Sequence, residues 1–287
     1  MKILRQIYNY FSLVRFSHTI FALPFALMSA LAAADGLPEW SVLGWILVCM
    51  AGARTAAMTF NRIVDRRLDA LNPRTRERHL PAGRVSMMEA ALLWLIAAAF
   101  FVFGAWKLNF LTFALSPVAL LIICGYSYCK RFTSLSHFVL GLSLGIAPVG
   151  AWIAVTGSLA APPVILAAAV MMWVAGFDAI YALMDETFDR QVGLHSLVVA
   201  LGKQGALRAA FFMHLTSVFM IGVFGASAGM GWIFWVGAIA YLLLILYEHA
   251  IVSPDDAKRI NIAFFNVNAV ISIGLLCFTS LDIFLRH

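Results

Sequence analysis

The chain is a succession of apolar stretches, each long enough to cross a bilayer, and this pattern leaves room for little else. Nine such runs fall near residues 16–34, 40–60, 88–106, 109–129, 135–156, 163–184, 206–228, 231–252 and 262–284. A spanning helix needs roughly 20 mostly apolar residues. Backbone groups in hydrocarbon must bond within their own segment, so runs of this kind fold as helices. The expected fold is all-α: a polytopic membrane protein with about nine transmembrane helices in one bundle, a single domain over residues 1–287. At 63% hydrophobic and 12% charged, the chain is too apolar for a water-soluble domain.

The net charge of +6 does not point to nucleic acid, because the basic residues are sorted by side. With the N-terminus inside, Lys2, Arg5 and Arg15 lie on the cytoplasmic side together with the even-numbered loops, and only Lys107 and Arg286 fall outside. That sorting is the positive-inside rule. It predicts a membrane protein with a cytoplasmic N-terminus. Residues 1–34 also have the basic start, apolar run and small residues of a cleaved leader. A first spanning helix has the same features, and the helix reading is preferred. Cys49, Cys124, Cys129 and Cys277 lie in apolar stretches without C-x-x-C spacing and read as packing residues.

The loops are unequal. Outside connections such as 35–39 and 157–162 are short, whereas the inside segments 61–87 and 185–204 are long and crowded with charge. Long ordered loops on a helical scaffold usually carry function. Asn61, Asp65 and Asp69 recur as Tyr181, Asp185 and Asp189, each displaced by 120 residues, a weak sign of two related halves. Gly141-x-x-x-Gly145 and Gly225-x-x-x-Gly229 permit close helix approach and carry no functional reading.

Asn61, Asp65 and Asp69 are four residues apart and share one helical face. Asp185 and Asp189 repeat the spacing at the end of the sixth helix, with Asp178 two turns earlier inside the apolar run. Stacked carboxylates at membrane depth repel and are costly to desolvate. A single pair of this kind reads best as helix-end capping against neighbouring arginines. Two pairs and an intramembrane Asp178 favour a hard divalent cation, since Mg²⁺ takes one or two carboxylates plus substrate phosphates. Asp65, Asp69, Asp185 and Asp189 are the expected metal ligands.

Seven arginines lie within residues 62–84, interleaved with acids. Part of this is topology, but arginine forks also suit phosphate oxygens. Asn61, Arg62, Arg66, Arg74, Arg78 and Lys130 form the expected diphosphate-binding set. Lys130 and Arg131 end the fourth helix and would help neutralise the departing diphosphate. A substrate with a diphosphate head and a long hydrocarbon tail would place its head at the inside surface and its tail among the helices. Loss of diphosphate leaves an allylic cation that an electron-rich aromatic ring can attack, provided water is excluded. Asp178 is placed as a base or as a hold for the acceptor's hydroxyl, and Tyr126, Tyr128 and Tyr181 as stabilisers of cationic character. Such aromatics are more often plain interface anchors.

Asn61-Arg62-x-x-Asp65-Arg66-x-x-Asp69-x-x-Asn72-Pro73-Arg74-Thr75 resembles the first aspartate-rich motif of UbiA-type aromatic prenyltransferases. Phe177-Asp178-x-Ile180-Tyr181-Ala182-x-x-Asp185-x-x-x-Asp189-x-x-x-Gly193 is similar to their second. Tyr126-x-x-x-Lys130-Arg131-Phe132-Thr133 and Ala147-Pro148 fit the same family in order and spacing. The resemblance implies a nine-helix fold, Mg²⁺ at the two Asp motifs and a lateral route for the polyprenyl tail. The stretches at Arg74-Thr75 and Phe177–Ala182 resemble the 4-hydroxybenzoate polyprenyltransferases of ubiquinone synthesis. Arg78-His79-Leu80-Pro81, Gln191-Val192 and His195-Ser196 depart from that branch. They resemble the branch that serves menaquinone synthesis through futalosine, whose acceptor is a hydroxylated naphthoate.

The seven histidines show no H-x-x-x-H or H-E-x-x-H spacing, which argues against zinc or haem. His79 and His195 lie in the functional loops and are candidates to touch phosphate. A secondary transporter is the alternative of another class, since intramembrane acids and repeat-like halves suit one. Its acids would gather near the midplane, whereas these, Asp178 excepted, lie at one face beside an arginine-rich loop. A purely structural subunit leaves both Asp sets unexplained.

Overall fold

A computed structural model describes Leu13 and residues 20–286. Lys2, Arg5 and Arg15, which carry the N-terminal orientation argument, lie outside the described residues, as does much of the leader-like stretch and the start of the first expected span.

Every described element is helical: α1 (Leu23–Ala34), α2 (Trp40–Leu71), α3 (Met87–Leu108), α4 (Phe110–Cys129), α5 (Ser136–Thr156), α6 (Ala161–Tyr181), a 3₁₀ turn (Ala182–Asp185), α7 (Glu186–Gln191), α8 (Leu197–Ser227), α9 (Trp232–Ile251), α10 (Ala257–Asn261), a π-helical turn (Ile262–Val267) and α11 (Asn268–Arg286). Among the described residues, eight helical segments are long and apolar enough to cross a membrane, and α1 is a shorter apolar helix. The chain is an integral membrane protein of the expected all-α, polytopic kind.

Two helices depart from their expected limits. The second apolar run ends near residue 60, but α2 continues through the charged residues to Leu71, so the first motif lies on helix rather than in a loop. The helix keeps its backbone bonds beyond the apolar run, and Asn61 and Asp69 stay on its buried face. It stops where the Asn72 side chain accepts from the Arg74 backbone N–H at 2.9 Å, just before the turn that Pro73 enforces. Similarly, α8 begins at Leu197 rather than near 206 and bends at Gly202, whose φ of 70° suits a residue without a Cβ. Ser196 caps it by accepting from the Val199 N–H at 3.2 Å.

The described chain divides into two compact units. The first holds most of α2, the arginine-rich turn, α3 and most of α4. There a Cβ on Gly52 would stand 3.0 Å from the Ala97 carbonyl oxygen, so α2 and α3 meet backbone to backbone. A capping box between Ser86 and Glu89 starts α3.

The second unit holds α1, α5 and everything after it. Its core gathers Phe25, Met28, Leu166, Trp173, Phe224, Phe234 and Ile245. The close approach hinted at by Gly141 and Gly145 is real: a Cβ on Gly141 would lie 2.2 Å from the Met171 carbonyl oxygen, and one on Gly145 2.7 Å from that of Ala167. Helices α5 and α6 therefore run antiparallel at near-contact. At the far end of this unit, Asp282 caps α9 by accepting from the Gly231 N–H at 2.7 Å and is itself paired with Arg286.

Candidate active site

The first motif is ordered by its own side chains. Asn61 is buried and donates from Nδ2 to Asp65 Oδ2 at 2.9 Å and to Ser127 Oγ at 3.5 Å. Asp69, two helical turns on, is buried as well. Its Oδ1 accepts from Arg78 Nη1 at 2.6 Å, and Arg62 Nη1 stands 3.9 Å from its Oδ2. The returning turn is tied down where the buried Thr75 hydroxyl donates to the Asp69 carbonyl at 3.0 Å. Of the expected diphosphate-binding arginines, Arg62 is buried and Arg78 partly buried against Asp69, whereas Arg66 and Arg74 are exposed. The capping reading is thus right in part, since Asp69 does hold Arg78. That contact occupies one oxygen only: Oδ2 is buried and accepts no hydrogen bond.

His79, in the same turn, has its pKa lowered, first by burial and then by the Arg84 and Arg62 charges. Arg54 went unremarked in the sequence, although it sits half-buried inside an apolar run of α2, seven residues and so about two turns before Asn61.

The second motif does not continue α6 as one regular helix. Asp178 lies in the last turns of α6 and Tyr181 ends it; the 3₁₀ turn then carries Asp185, and α7 carries Asp189. Asp185 and Asp189 are both buried. The segment after them turns at Gly193, with φ 72°, and the Leu194 N–H returns to the Asp189 carbonyl at 2.8 Å. Outside this pair, Glu186 binds Arg190 at 3.2 Å, and Lys203 reaches Asp255 at 2.6 Å. Tyr181 packs its ring against Phe264 at 4.2 Å between centroids, and Tyr128 stands edge-on to Phe60. Lys130 and Arg131 occupy the turn after α4, and the Lys130 carbonyl accepts from the His195 N–H at 2.7 Å.

Asp178 has a partner the sequence did not disclose. Its Oδ2 lies 2.6 Å from Nδ1 of His137, a fully buried residue near the start of α5. Dismissing the histidines for lack of metal spacing missed it. The usable signal was helical: His137, Gly141 and Gly145 are four apart and share the α5 face that meets α6.

The donor set suits a hard cation. Among the described residues no three His, Cys, Asp or Glu side chains converge as a ready-made metal cage. Magnesium needs no such cage, because it takes one or two carboxylates and completes its shell with water and phosphate oxygens. The unbonded, buried Oδ2 of Asp69 is a donor of that kind. Buried acids and arginines at the ends of spanning helices are donor groups of the kind that a charged head on an apolar tail requires.

The comparisons with known proteins agree. Residues 22–270 match the UbiA prenyltransferase family, and the chain belongs to that family. It is 30% identical to a 4-hydroxybenzoate octaprenyltransferase of Shewanella pealeana over 89% of this chain and 87% of that protein. The corresponding octaprenyltransferase of Neisseria meningitidis serogroup B is 29% identical over 87% of this chain and 83% of that one. Among solved structures, a UbiA homolog from Aeropyrum pernix K1 superposes with a TM-score of 0.84 at 34% identity, over 92% of this chain and 98% of that one. A UbiA homolog from Archaeoglobus fulgidus bound to GPP and Mg²⁺ shares the fold, with a TM-score of 0.71 at 20% identity over 95% and 99% of the two chains. The protein is a prenyltransferase, which sets the transporter alternative aside.

Proposed function

We propose that this chain, acting as one membrane domain over its whole length, transfers a polyprenyl group from polyprenyl diphosphate to 4-hydroxybenzoate in quinone biosynthesis. It would do so with Mg²⁺, at the cytoplasmic face of a bacterial inner membrane. The observation that carries this reading is the buried Asp69 carboxylate, braced by Arg78 through one oxygen and left open at the other. It is supported by relatives named 4-hydroxybenzoate octaprenyltransferases that align over most of the chain.

Mg²⁺, held by Asp65 and Asp69 and by Asp185 and Asp189, would supply charge to the diphosphate as it leaves. The protein's own part is positioning. Asn61 fixes the Asp65 rotamer through its 2.9 Å bond. Arg62, Arg66, Arg74, Arg78 and Lys130 offer guanidinium and ammonium donors to phosphate oxygens, and Arg131 adds charge beside them. Tyr181, held against Phe264, presents a π-face suited to cationic character near the apolar chain. Asp178 holds the acceptor's hydroxyl or takes its proton. Water is excluded by the apolar helices around the tail.

The test is transfer by the purified protein in detergent with a long-chain polyprenyl diphosphate, in Mg²⁺ and in EDTA, offering 4-hydroxybenzoate or 1,4-dihydroxy-6-naphthoate. Mg²⁺-dependent prenylation of 4-hydroxybenzoate supports the reading. Product from the naphthoate alone would move the acceptor to the branch that the Arg78–Pro81 and His195 departures resemble. No product from either overturns the proposed acceptor class.

A further inference from the structure

The Asp178 carboxyl belongs to a longer chain of contacts. His137 Nδ1 lies 2.6 Å from Asp178 Oδ2, and His137 Nε2 lies 3.3 Å from the Leu197 backbone nitrogen. A backbone N–H only donates, so Nε2 accepts and carries no proton. The ring proton therefore sits on Nδ1 and points at Asp178. Both ring nitrogens are satisfied, and the imidazole has no exposed surface, while the Asp178 side chain keeps 17% of its own. The histidine is fully enclosed by protein, whereas the aspartate keeps some accessible surface.

The surrounding backbone fixes this geometry. The near-contact of α5 and α6 at Gly141 and Gly145 brings His137 up to Asp178. Leu197 opens α8, and two residues earlier the His195 N–H is bound to the Lys130 carbonyl. One imidazole thus registers Asp178 against a segment anchored to the turn that bears Lys130 and Arg131.

We propose that His137 is the positioning residue for Asp178: its Nδ1–H fixes the carboxylate rotamer, so that the exposed part of Asp178 meets the hydroxyl of a phenolic acceptor. This rests on the reading of Asp178 as the acceptor-side group. His137 does not touch the acceptor; it acts through Asp178 alone.

The test uses the full-length protein in detergent with Mg²⁺, a polyprenyl diphosphate and 4-hydroxybenzoate, comparing H137A, H137N, H137Q and D178N. An Asn side chain can donate from roughly the place of Nδ1, whereas Gln reaches the place of Nε2 and serves Leu197 instead. H137A is expected to lower kcat/KM for the acceptor about 10- to 100-fold, with KM for the prenyl diphosphate essentially unchanged. H137N should recover most of that loss and H137Q little. In a D178N background, H137A should cost nothing further, since the two act as one unit. Rescue by Gln rather than Asn, additive losses, or equal changes in both KM values would show that docking α8 is the real role and overturn the proposal. Should H137A not fold, the Asn and Gln variants and their combinations with D178N decide it. An active wild type with an unaffected H137A overturns this proposal alone. A wild type that prenylates no aromatic acceptor overturns the functional reading and this one with it.

Discussion

Arg78 Nη1 donates to Asp69 Oδ1 at 2.6 Å across nine residues of sequence, and Asp69 Oδ2 is the oxygen that accepts no hydrogen bond. Arg78 braces the carboxylate, and in the proposed site its remaining N–H groups would serve a phosphate. Arg78→Ala is expected to raise KM for the prenyl diphosphate by about tenfold or more, with Arg78→Lys recovering only part, because an ammonium lacks the planar fork. Asp69→Asn should cost more, about 100-fold or greater in turnover, since it removes a charged ligand outright. Steady-state kinetics with the prenyl diphosphate as varied substrate checks both. Turnover of Asp69→Asn close to wild type would sink the metal-ligand role.

Much of this site was legible in the sequence because its logic is local. Asn61, Asp65 and Asp69 lie at helical spacing, and the helix carries them onto one face whether or not the surrounding residues are apolar. The extent of α2 was not legible. Hydropathy marks where a helix leaves the lipid, whereas the helix ends where Asn72 and Pro73 stop it. The second motif hid more. Its i, i+4 spacing implied a continuation of α6, but the turn tightens to 3₁₀ at Ala182–Asp185 before α7 begins. His137 was invisible as a partner because it lies 41 residues from Asp178 and the contact depends on how closely two helices meet.

That close meeting gives a second test. A Cβ at Gly141 would sit 2.2 Å from the Met171 carbonyl oxygen, a backbone atom that cannot swing aside. Gly141→Val must push α5 from α6, at a cost of about 1–3 kcal/mol or more. Thermal unfolding in detergent should fall by roughly 2 °C or more, with acceptor use impaired as His137 withdraws from Asp178. Gly150, on the same helix, has no atom within 4 Å of its would-be Cβ. Gly150→Ala should therefore be neutral or stabilising by up to about 1 kcal/mol. Similar losses at the two positions would contradict the packing account.

His79 offers a pH test outside the spanning helices. Burial, with Arg84 and Arg62 nearby, lowers its folded pKa from the ordinary value of 6.5. The folded state then binds this proton less readily than the unfolded state does. The resulting stability is fully present above pH 6.5 and is lost as the pH falls below it through the lowered folded value. His79→Gln removes the titration. Between neutral and mildly acidic pH, the wild-type unfolding midpoint should fall more steeply than that of His79→Gln. Parallel curves would mean that His79 contributes nothing to the acid limb.

Glu248 poses the opposite problem, a buried acid with one oxygen engaged. It has no exposed surface, and its Oε1 accepts from Asn268 Nδ2 at 2.9 Å. Oε2 accepts no hydrogen bond, although His214 Nδ1 stands 3.7 Å away. Asn268 cannot easily give up this contact, because its Oδ1 already accepts from Trp173 Nε1 at 2.6 Å within the same core. A glutamine here would keep the acceptor for Asn268 and could place its amide beside His214. A leucine would fit by size but take away the shortest bond of the Asn268 amide, leaving it the Ala263 and Phe264 carbonyls at 3.0 and 3.3 Å. Losing one partner of a buried polar pair costs about 1–3 kcal/mol, whereas a side chain of the same length that keeps the acceptor for Asn268 retains the pair. Glu248→Gln is therefore expected to match the wild-type unfolding midpoint, and Glu248→Leu to fall below it. If Glu248→Gln were instead as destabilised as Glu248→Leu, the carboxylate itself would be what holds α9 to α11, and its nearby partner His214 would have to carry the balancing charge.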